Sequence, residues 1–179
     1  MPVPFRDDKE LEELGAAAYL KIEVDTSGYR GALFLINGRG EPMEFTYTRI
    51  DIPNTFLWRK ADIHRHATRK IAASLFSLCP QTPKLILCLA EEADSELFCQ
   101  DISVSIPVCR IAPATSSVSF TSNEFREETN TSEPKQLFWF PAPPAEDSIE
   151  YRLFQRLISS GLLSEPFERA ETGLREVYK

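Results

Sequence analysis

Residues 18–25 read Ala-Tyr-Leu-Lys-Ile-Glu-Val-Asp and residues 31–36 read Gly-Ala-Leu-Phe-Leu-Ile, and these two stretches decide the fold. In the first, apolar and charged residues alternate from Leu20 to Asp25, which is the period-two pattern of a strand. The second is a continuous apolar run of strand length. It leads into Asn37-Gly38, a strong hairpin signal. The two stretches therefore predict neighbouring antiparallel strands.

The following segments predict a third antiparallel strand, a helix and then a buried parallel strand. A third run, Met43 to Ile52, stops at Pro53 and completes an antiparallel meander. Apolar residues then recur at helical spacing from Ala61 to Leu78. The short run Lys84–Ala90 is fully apolar, as in a buried parallel strand, and Ile102–Ile111 alternates again. The pattern predicts an α/β fold with a mixed five-stranded sheet and flanking helices.

Outside these strands, the sequence predicts an acidic leader, a flexible insertion and two further helices. Residues 1–17 form an acidic leader with a short predicted helix over Asp8–Leu14, and residues 18–179 form a single α/β domain. Residues 113–136 are rich in Ser, Thr, Asn and Glu, which predicts a flexible insertion. Two further helices are predicted, one from Ile149 to a stop at Gly161 with Asp147 or Ser148 as its cap, and one from Pro166 to Tyr178.

Length and charge exclude several classes. The chain has 179 residues and a net charge of −7, which suits one globular domain. It has no apolar run near the roughly 20 residues that span a bilayer. An acidic N-terminus is unlike a signal peptide, so we expect a cytoplasmic protein with no membrane partner. Its four cysteines include no CxxC pair, which disfavours a structural zinc site.

Acidic residues stand at the ends of several predicted elements. Asp25 closes the first strand in Val24-Asp-Thr-Ser-Gly28, Glu91 and Glu92 follow the fourth strand directly, and Asp147 and Glu150 open the penultimate helix. In element order and in these acids, the chain resembles the ribonuclease H-like superfold, which includes ribonuclease H, endonuclease V and RuvC-type resolvases. In that superfold an aspartate on the first strand pairs with a carboxylate at the end of the fourth, and a late helix supplies further acids.

The resemblance implies a nuclease that uses Mg²⁺ or Mn²⁺ to hydrolyse phosphodiesters of DNA or RNA. Hard cations prefer carboxylate oxygens, and two ions about 3.5–4 Å apart can activate water and stabilise the leaving oxygen. Asp25, Glu91 and Asp147 would be the catalytic metal ligands, with Glu92 and Glu150 as alternates.

Each of these acids also has a purely structural explanation. Asp25 begins an ordinary turn sequence, Asp147 can cap a helix, and Glu91 and Glu92 can solvate a loop. Acidic residues make up 27 of the 179, so an acid near a strand end is common. The second hypothesis is accordingly a non-catalytic RNase H-like adaptor or scaffold subunit of a larger complex.

The predicted helix over 61–78 is locally basic. It and the two residues before it hold five basic residues against one acidic residue, Asp62. Arg65 and Arg69 share a helix face and Lys70 is adjacent, so these three are the candidate phosphate contacts for a nucleic acid. The face can equally be solvated or paired with the acidic leader at 7–13.

Leu137-Phe-Trp-Phe-Pro141 is the densest aromatic cluster in the chain. Phe138, Trp139 and Phe140 are candidate interface residues, because aromatic side chains dominate interface hot spots. The same segment can instead dock on the domain's own core. Phe56, Leu57 and Trp58 raise the same question on a smaller scale.

Overall fold

The computed structural model, which describes residues 2–7, 9–52 and 55–179, contains one sheet of seven strands. Asp8 and Pro53, where a predicted helix begins and a predicted strand stops, lie outside the described residues. The strands are β1 (Ala17–Asp25), β2 (Gly28–Ile36), β3 (Pro42–Asp51), β4 (Leu85–Leu89), β5 (Val108–Pro113), β6 (Phe125–Glu128) and β7 (Lys135–Phe140). The helices are α1 (Glu10–Glu13), α2 (Lys60–Leu78), α3 (Ile149–Ser159) and α4 (Glu165–Val177), and Thr55–Leu57 and Leu97–Asp101 form a 3-10 turn and a π turn.

The strand order is β3-β2-β1-β4-β5-β7-β6. The first three strands form the predicted antiparallel meander, with Asp25 opposite Gly28 at the first turn. A side chain at Gly28 would place its Cβ 2.3 Å from the carbonyl oxygen of Ile50, so this tight turn requires glycine. β4 and β5 run parallel to β1, and the carboxyl ends of these three central strands therefore lie at the same edge of the sheet.

The five-strand prediction is wrong in number, because β6 and β7 complete the sheet. All four residues of β6 are exposed, so this edge strand carries no alternating apolar pattern. It lies inside the segment 113–136 that was predicted to be a flexible insertion. β7 contains the aromatic cluster and pairs with both β5 and β6. The fifth strand begins later than predicted. It was expected over Ile102–Ile111, whereas β5 starts at Val108, and the preceding π turn ends at Asp101.

Helices cover both faces of the sheet. α2 packs on one face, where Ile71 and Leu75 contact the even-numbered side chains of β1. α3 and α4 pack on the other, where Trp139 meets Phe154 edge-to-face at 4.8 Å and Tyr19 meets Phe167 at 5.1 Å. The apolar character of the central strands follows from this double coverage. None of the helices in the described ranges has the length and apolar character that crossing a bilayer requires.

The cap of α3 gives a first testable prediction. Ser148, not Asp147, caps the helix, since its Oγ accepts a hydrogen bond of 3.1 Å from the backbone N–H of Tyr151. We expect Ser148→Ala to lower the free energy of unfolding by about 1 kcal/mol. The matched control Asp147→Asn should change it by less than about 0.5 kcal/mol. Urea unfolding followed by circular dichroism measures both, and equal losses would contradict the assignment of the cap.

Candidate functional site at the carboxyl ends of the central strands

The carboxyl ends of β1, β4 and β5 are the natural place for a site, because ligands of open α/β sheets bind outside the carboxyl ends of the strands. Glu91, Glu92 and Asp94 follow β4 at this edge. β4 pairs with the first half of β1, from Ala17 to Leu20. The chain after β4 therefore emerges beside the second half of β1.

Glu92 is held at this place by two donors from β1. Its Oε2 accepts a hydrogen bond from the Lys21 ammonium, and its Oε1 accepts one of 3.1 Å from the backbone N–H of Ile22. The Lys21 and Glu92 side chains are 12% and 13% exposed. Burial raises the pKa of Glu92, and the hydrogen bonds from Lys21 and Ile22 oppose that rise. Both carboxylate oxygens of Glu92 therefore already accept hydrogen bonds from groups of this chain.

The neighbouring charged residues on the same face of the sheet are also paired. Glu23, two residues after Lys21 on β1, accepts a 2.7 Å hydrogen bond from Nε of Arg30 on β2. Charges therefore alternate across the face from Glu92 to Lys21, Glu23 and Arg30. Such a ladder stabilises the sheet through opposite-charge neighbours.

Asp25 closes β1 as a turn residue. Its Oδ1 accepts hydrogen bonds from the Ser27 backbone N–H at 2.8 Å, the Ser27 hydroxyl at 2.6 Å and the Gly28 N–H at 3.0 Å. The Ser27 hydrogen bonds hold the pKa of Asp25 below its usual range. Asp25 lies three residues beyond Ile22, which is about 10 Å along a strand. Its carboxylate orders the turn and does not approach Glu92.

Asp147 and Glu150 lie at the opposite end of the sheet. The first turn of α3 adjoins Trp139, since a pocket of about 330 Å³ is lined by Trp139, Glu146 and Tyr151. Trp139 pairs with Cys109, near the amino end of β5. The predicted trio of Asp25, Glu91 and Asp147 is therefore not brought together, because α3 begins at the wrong end.

The residues at this edge do not fit a Mg²⁺ or Mn²⁺ centre. Such an ion needs several free carboxylate oxygens, whereas the Glu92 oxygens are taken by Lys21 and Ile22. Over residues 2–7, 9–52 and 55–179, no three Asp, Glu, His or Cys side chains form a group that could hold a metal ion. The Lys21 ammonium instead supplies the positive charge beside the Glu92 carboxylate.

A cleft of about 540 Å³ opens next to this ion pair, at the ends of β4 and β5. Exposed Glu91 and Asp94 line it, together with Lys135 and the serines of the segment after β5. Arg110 forms part of its wall and is only 4% exposed. The cleft is polar and carries both signs of charge.

Arg110 is anchored by a buried ion pair that sequence reasoning missed. Its Nη1 donates to both carboxylate oxygens of Glu124 at 3.0 Å, and its Nε donates to the Ala93 carbonyl at 2.8 Å. The side chains of Arg110 and Glu124 are 4% and 1% exposed. The position of Arg110 inside the apolar run Val-Cys-Arg-Ile-Ala indicates a buried charge that needs a partner. The identity of that partner could not be predicted, because Glu124 lies in a polar segment with no periodic pattern.

Among the described residues, some cations of the basic helix α2 form an ion pair with a carboxylate and others do not. Arg65 donates two hydrogen bonds, of 2.8 and 2.6 Å, to the carboxylate of Asp101 in the π turn. Arg69 and Lys70 are exposed, and in the described part of the chain neither has a carboxylate partner. Of the three predicted phosphate contacts, Arg65 therefore already has an anion, while Arg69 and Lys70 remain available.

The aromatic cluster of β7 is mainly internal. Phe138 and Trp139 are 0% and 1% exposed, and only Phe140 is half-buried. Because β7 lies between β5 and β6, these side chains pack on the two faces of the sheet. The structure therefore favours the docking of this segment on its own core over a role of Phe138 and Trp139 as a partner surface.

Comparisons with known proteins agree with this architecture. No protein-family model matches the sequence, and no curated protein is significantly similar to it. The structure is similar to endonuclease V from Streptomyces avermitilis, with a TM-score of 0.58 and 8% identity over 92% of this chain and 83% of that one. Endonuclease V from Bacillus subtilis gives a TM-score of 0.53 and 10% identity over 91% of this chain and 81% of that one. The fold is RNase H-like, and at these identities the likeness shows the fold alone.

Proposed function

We propose that this chain is a non-catalytic RNase H-like domain that acts as a binding and scaffold module. The observation that carries the proposal is the pairing of Glu92 with Lys21 and the Ile22 N–H. A carboxylate at the end of the fourth strand is what the superfold would use for a metal, and here it stabilises the domain instead. The charge ladder through Glu23 and Arg30 supports the same view.

The proposal predicts that the protein neither binds Mn²⁺ at a defined site nor cleaves nucleic acid. In isothermal titration with Mn²⁺ we expect no site tighter than about 1 mM. In gel assays with single-stranded and duplex DNA and RNA, wild type and Glu92→Gln should show the same background. Glu146→Gln, an exposed acid at the opposite end of the sheet, is the matched control. Mn²⁺-dependent cleavage that disappears in Glu92→Gln but persists in Glu146→Gln would overturn the proposal.

A second candidate is the metal-dependent nuclease of the sequence analysis, with a changed set of acids. The observation in its favour is that Glu91 and Asp94 are exposed and line the same cleft. Two carboxylates are fewer than a two-ion centre uses, so this candidate needs oxygen ligands from the substrate as well. Cleavage that is lost in Glu91→Gln or Asp94→Asn, and retained in Glu92→Gln, would favour it.

A further inference from the structure

Three consecutive apolar side chains stand exposed immediately before α2. Phe56, Leu57 and Trp58 are 77%, 76% and 38% exposed, and we call them the Phe56–Trp58 patch. Scattered apolar residues are normal on a surface, but a contiguous exposed group marks an interaction site. The patch has no role in the ion pairs or the cleft described above.

The patch belongs to the same end of the molecule as the Glu92 edge. His64, in the first turns of α2, contacts Tyr29 with ring centroids 5.9 Å apart, and Tyr29 pairs with Val24 near the carboxyl end of β1. Arg65 is tied to the π turn that follows β4. The patch therefore borders the edge where ligands of this sheet architecture bind.

Trp58 is positioned by the helix. Its ring lies 4.6 Å from that of His66, centroid to centroid. The two rings line a depression of about 350 Å³ together with Arg65, Arg69 and two acids, Asp62 and Asp101, which are paired with Arg59 and Arg65. An aromatic ring that is fixed against a helix and still 38% exposed can receive a second planar ring. A nucleobase is such a ring, and stacking on an aromatic side chain is tolerant of its identity.

Cations extend from the patch along α2. Lys60, Arg69 and Lys70 are exposed, and within the described ranges they have no carboxylate partner, in contrast to Arg59 and Arg65. Lys60 and Arg69 are nine residues apart, which places them on opposite sides of a helix with 3.6 residues per turn. Arg69 lines the same depression as Trp58 and Lys70 follows it directly, so these two cations belong to the surface beside Trp58.

We propose that the Phe56–Trp58 patch and the cations Arg69 and Lys70 bind single-stranded nucleic acid. Bases stack on Trp58 and Phe56, and phosphates contact the two cations. A duplex hides the faces of its bases, so it can use the cations but not the rings. The inference goes beyond the proposed function, because binding at this surface does not depend on whether the bound strand is cleaved.

Fluorescence anisotropy with labelled 20-nucleotide oligo-dT and oligo-U tests the proposal at about 50 and 200 mM salt. We expect binding that weakens with salt and that is tighter for the single strands than for a duplex of equal length. Trp58→Ala should weaken binding about 10-fold. In the wild type, a base that stacks on Trp58 should quench its fluorescence. Trp58→Phe should bind nearly as well but show no such quenching, since the remaining Trp139 is buried.

Charge reversal separates the proposed surface from general electrostatics. Arg69→Glu with Lys70→Glu should weaken binding and reduce the salt slope by about 1.4, since each phosphate contact of a single strand contributes about 0.7. Arg156→Glu with Arg175→Glu makes the same change of net charge on α3 and α4, which cover the other face of the sheet, and serves as the matched control. All substituted side chains are exposed, and a thermal melt verifies that each variant is folded.

The outcomes distinguish this inference from the proposed function. Absence of binding at 50 mM salt, or equal losses in the two double variants, would overturn the inference and leave the proposed function intact. Polyglutamate binding as tight as that of oligo-dT, and lost in the same variants, would also overturn it in favour of an acidic protein partner. Cleavage of a bound oligonucleotide would instead overturn the proposed function and leave the inference standing.

Discussion

Glu124→Gln is expected to lower the free energy of unfolding by about 3–5 kcal/mol. The substitution leaves the guanidinium of Arg110 in the interior with no opposing charge, where it is only 4% exposed. An arginine cannot escape this cost by losing its proton. Glu124 also accepts a 3.2 Å hydrogen bond from the Thr121 N–H, which the amide oxygen of glutamine can still accept, so the expected loss comes from the missing charge. Urea unfolding followed by circular dichroism measures the change.

Two further variants make this prediction specific. Glu128→Gln, on the exposed strand β6, removes an acid with a 4.0 Å ion pair to Arg126 and should cost less than about 0.5 kcal/mol. Arg110→Met combined with Glu124→Leu removes both charges and should recover most of the lost stability, because a buried pair is replaceable by apolar groups of similar size. A Glu124→Gln protein as stable as Glu128→Gln would contradict the importance of the buried pair.

The meander and α2 could be predicted from the sequence because their signals are local. Strand alternation over 18–25 and the Asn37-Gly38 turn fix two hairpin partners that are close in the chain. β6 could not be predicted, since each of its side chains faces solvent and the strand exists only through its pairing with β7. Edge strands of this kind depend on tertiary context more than on intrinsic preference.

The candidate site could be located from the sequence but not described. Glu91 and Glu92 directly follow the predicted fourth strand in the sequence, and in the structure they follow β4, which pairs with β1. Which β1 side chain meets Glu92 depends on the register between two strands whose paired residues, such as Ala17 and Leu85, are 68 positions apart, and no local pattern encodes it. Lys21 and Glu92 are 71 residues apart in the chain. The acid that seemed available for a metal therefore proved to have a cation as its partner.

Lys21→Met is expected to destabilise the protein in a pH-dependent manner. Burial already raises the pKa of Glu92, and Lys21 opposes that rise, so removing the ammonium raises this pKa further. At pH 7.5 the variant must keep an unpaired charge in a largely buried place or take up a proton. We expect a loss of about 1.5–3 kcal/mol there, the usual contribution of a hydrogen bond to a charged group.

The loss should shrink as the pH falls. A carboxyl whose pKa is raised on folding stabilises the folded state below its unfolded pKa, and this contribution disappears as the pH rises through the folded value. At pH 4.5 a larger share of Glu92 in the variant is protonated than at pH 7.5, because its pKa is raised, so less unpaired charge remains. Urea unfolding of wild type and variant at both pH values should show a large difference at pH 7.5 and a small one at pH 4.5.

The double variant Lys21→Met with Glu92→Gln decides whether this dependence originates in the pair. A glutamine still accepts the hydrogen bond from the Ile22 N–H but cannot titrate. Its difference from wild type should vary much less with pH than that of Lys21→Met. A loss in Lys21→Met that is equal at the two pH values would mean that Lys21 stabilises β1 through packing of its methylenes alone. Glu92 would then carry a charge that needs no internal partner, and its carboxylate would be free to hold a metal ion at this edge.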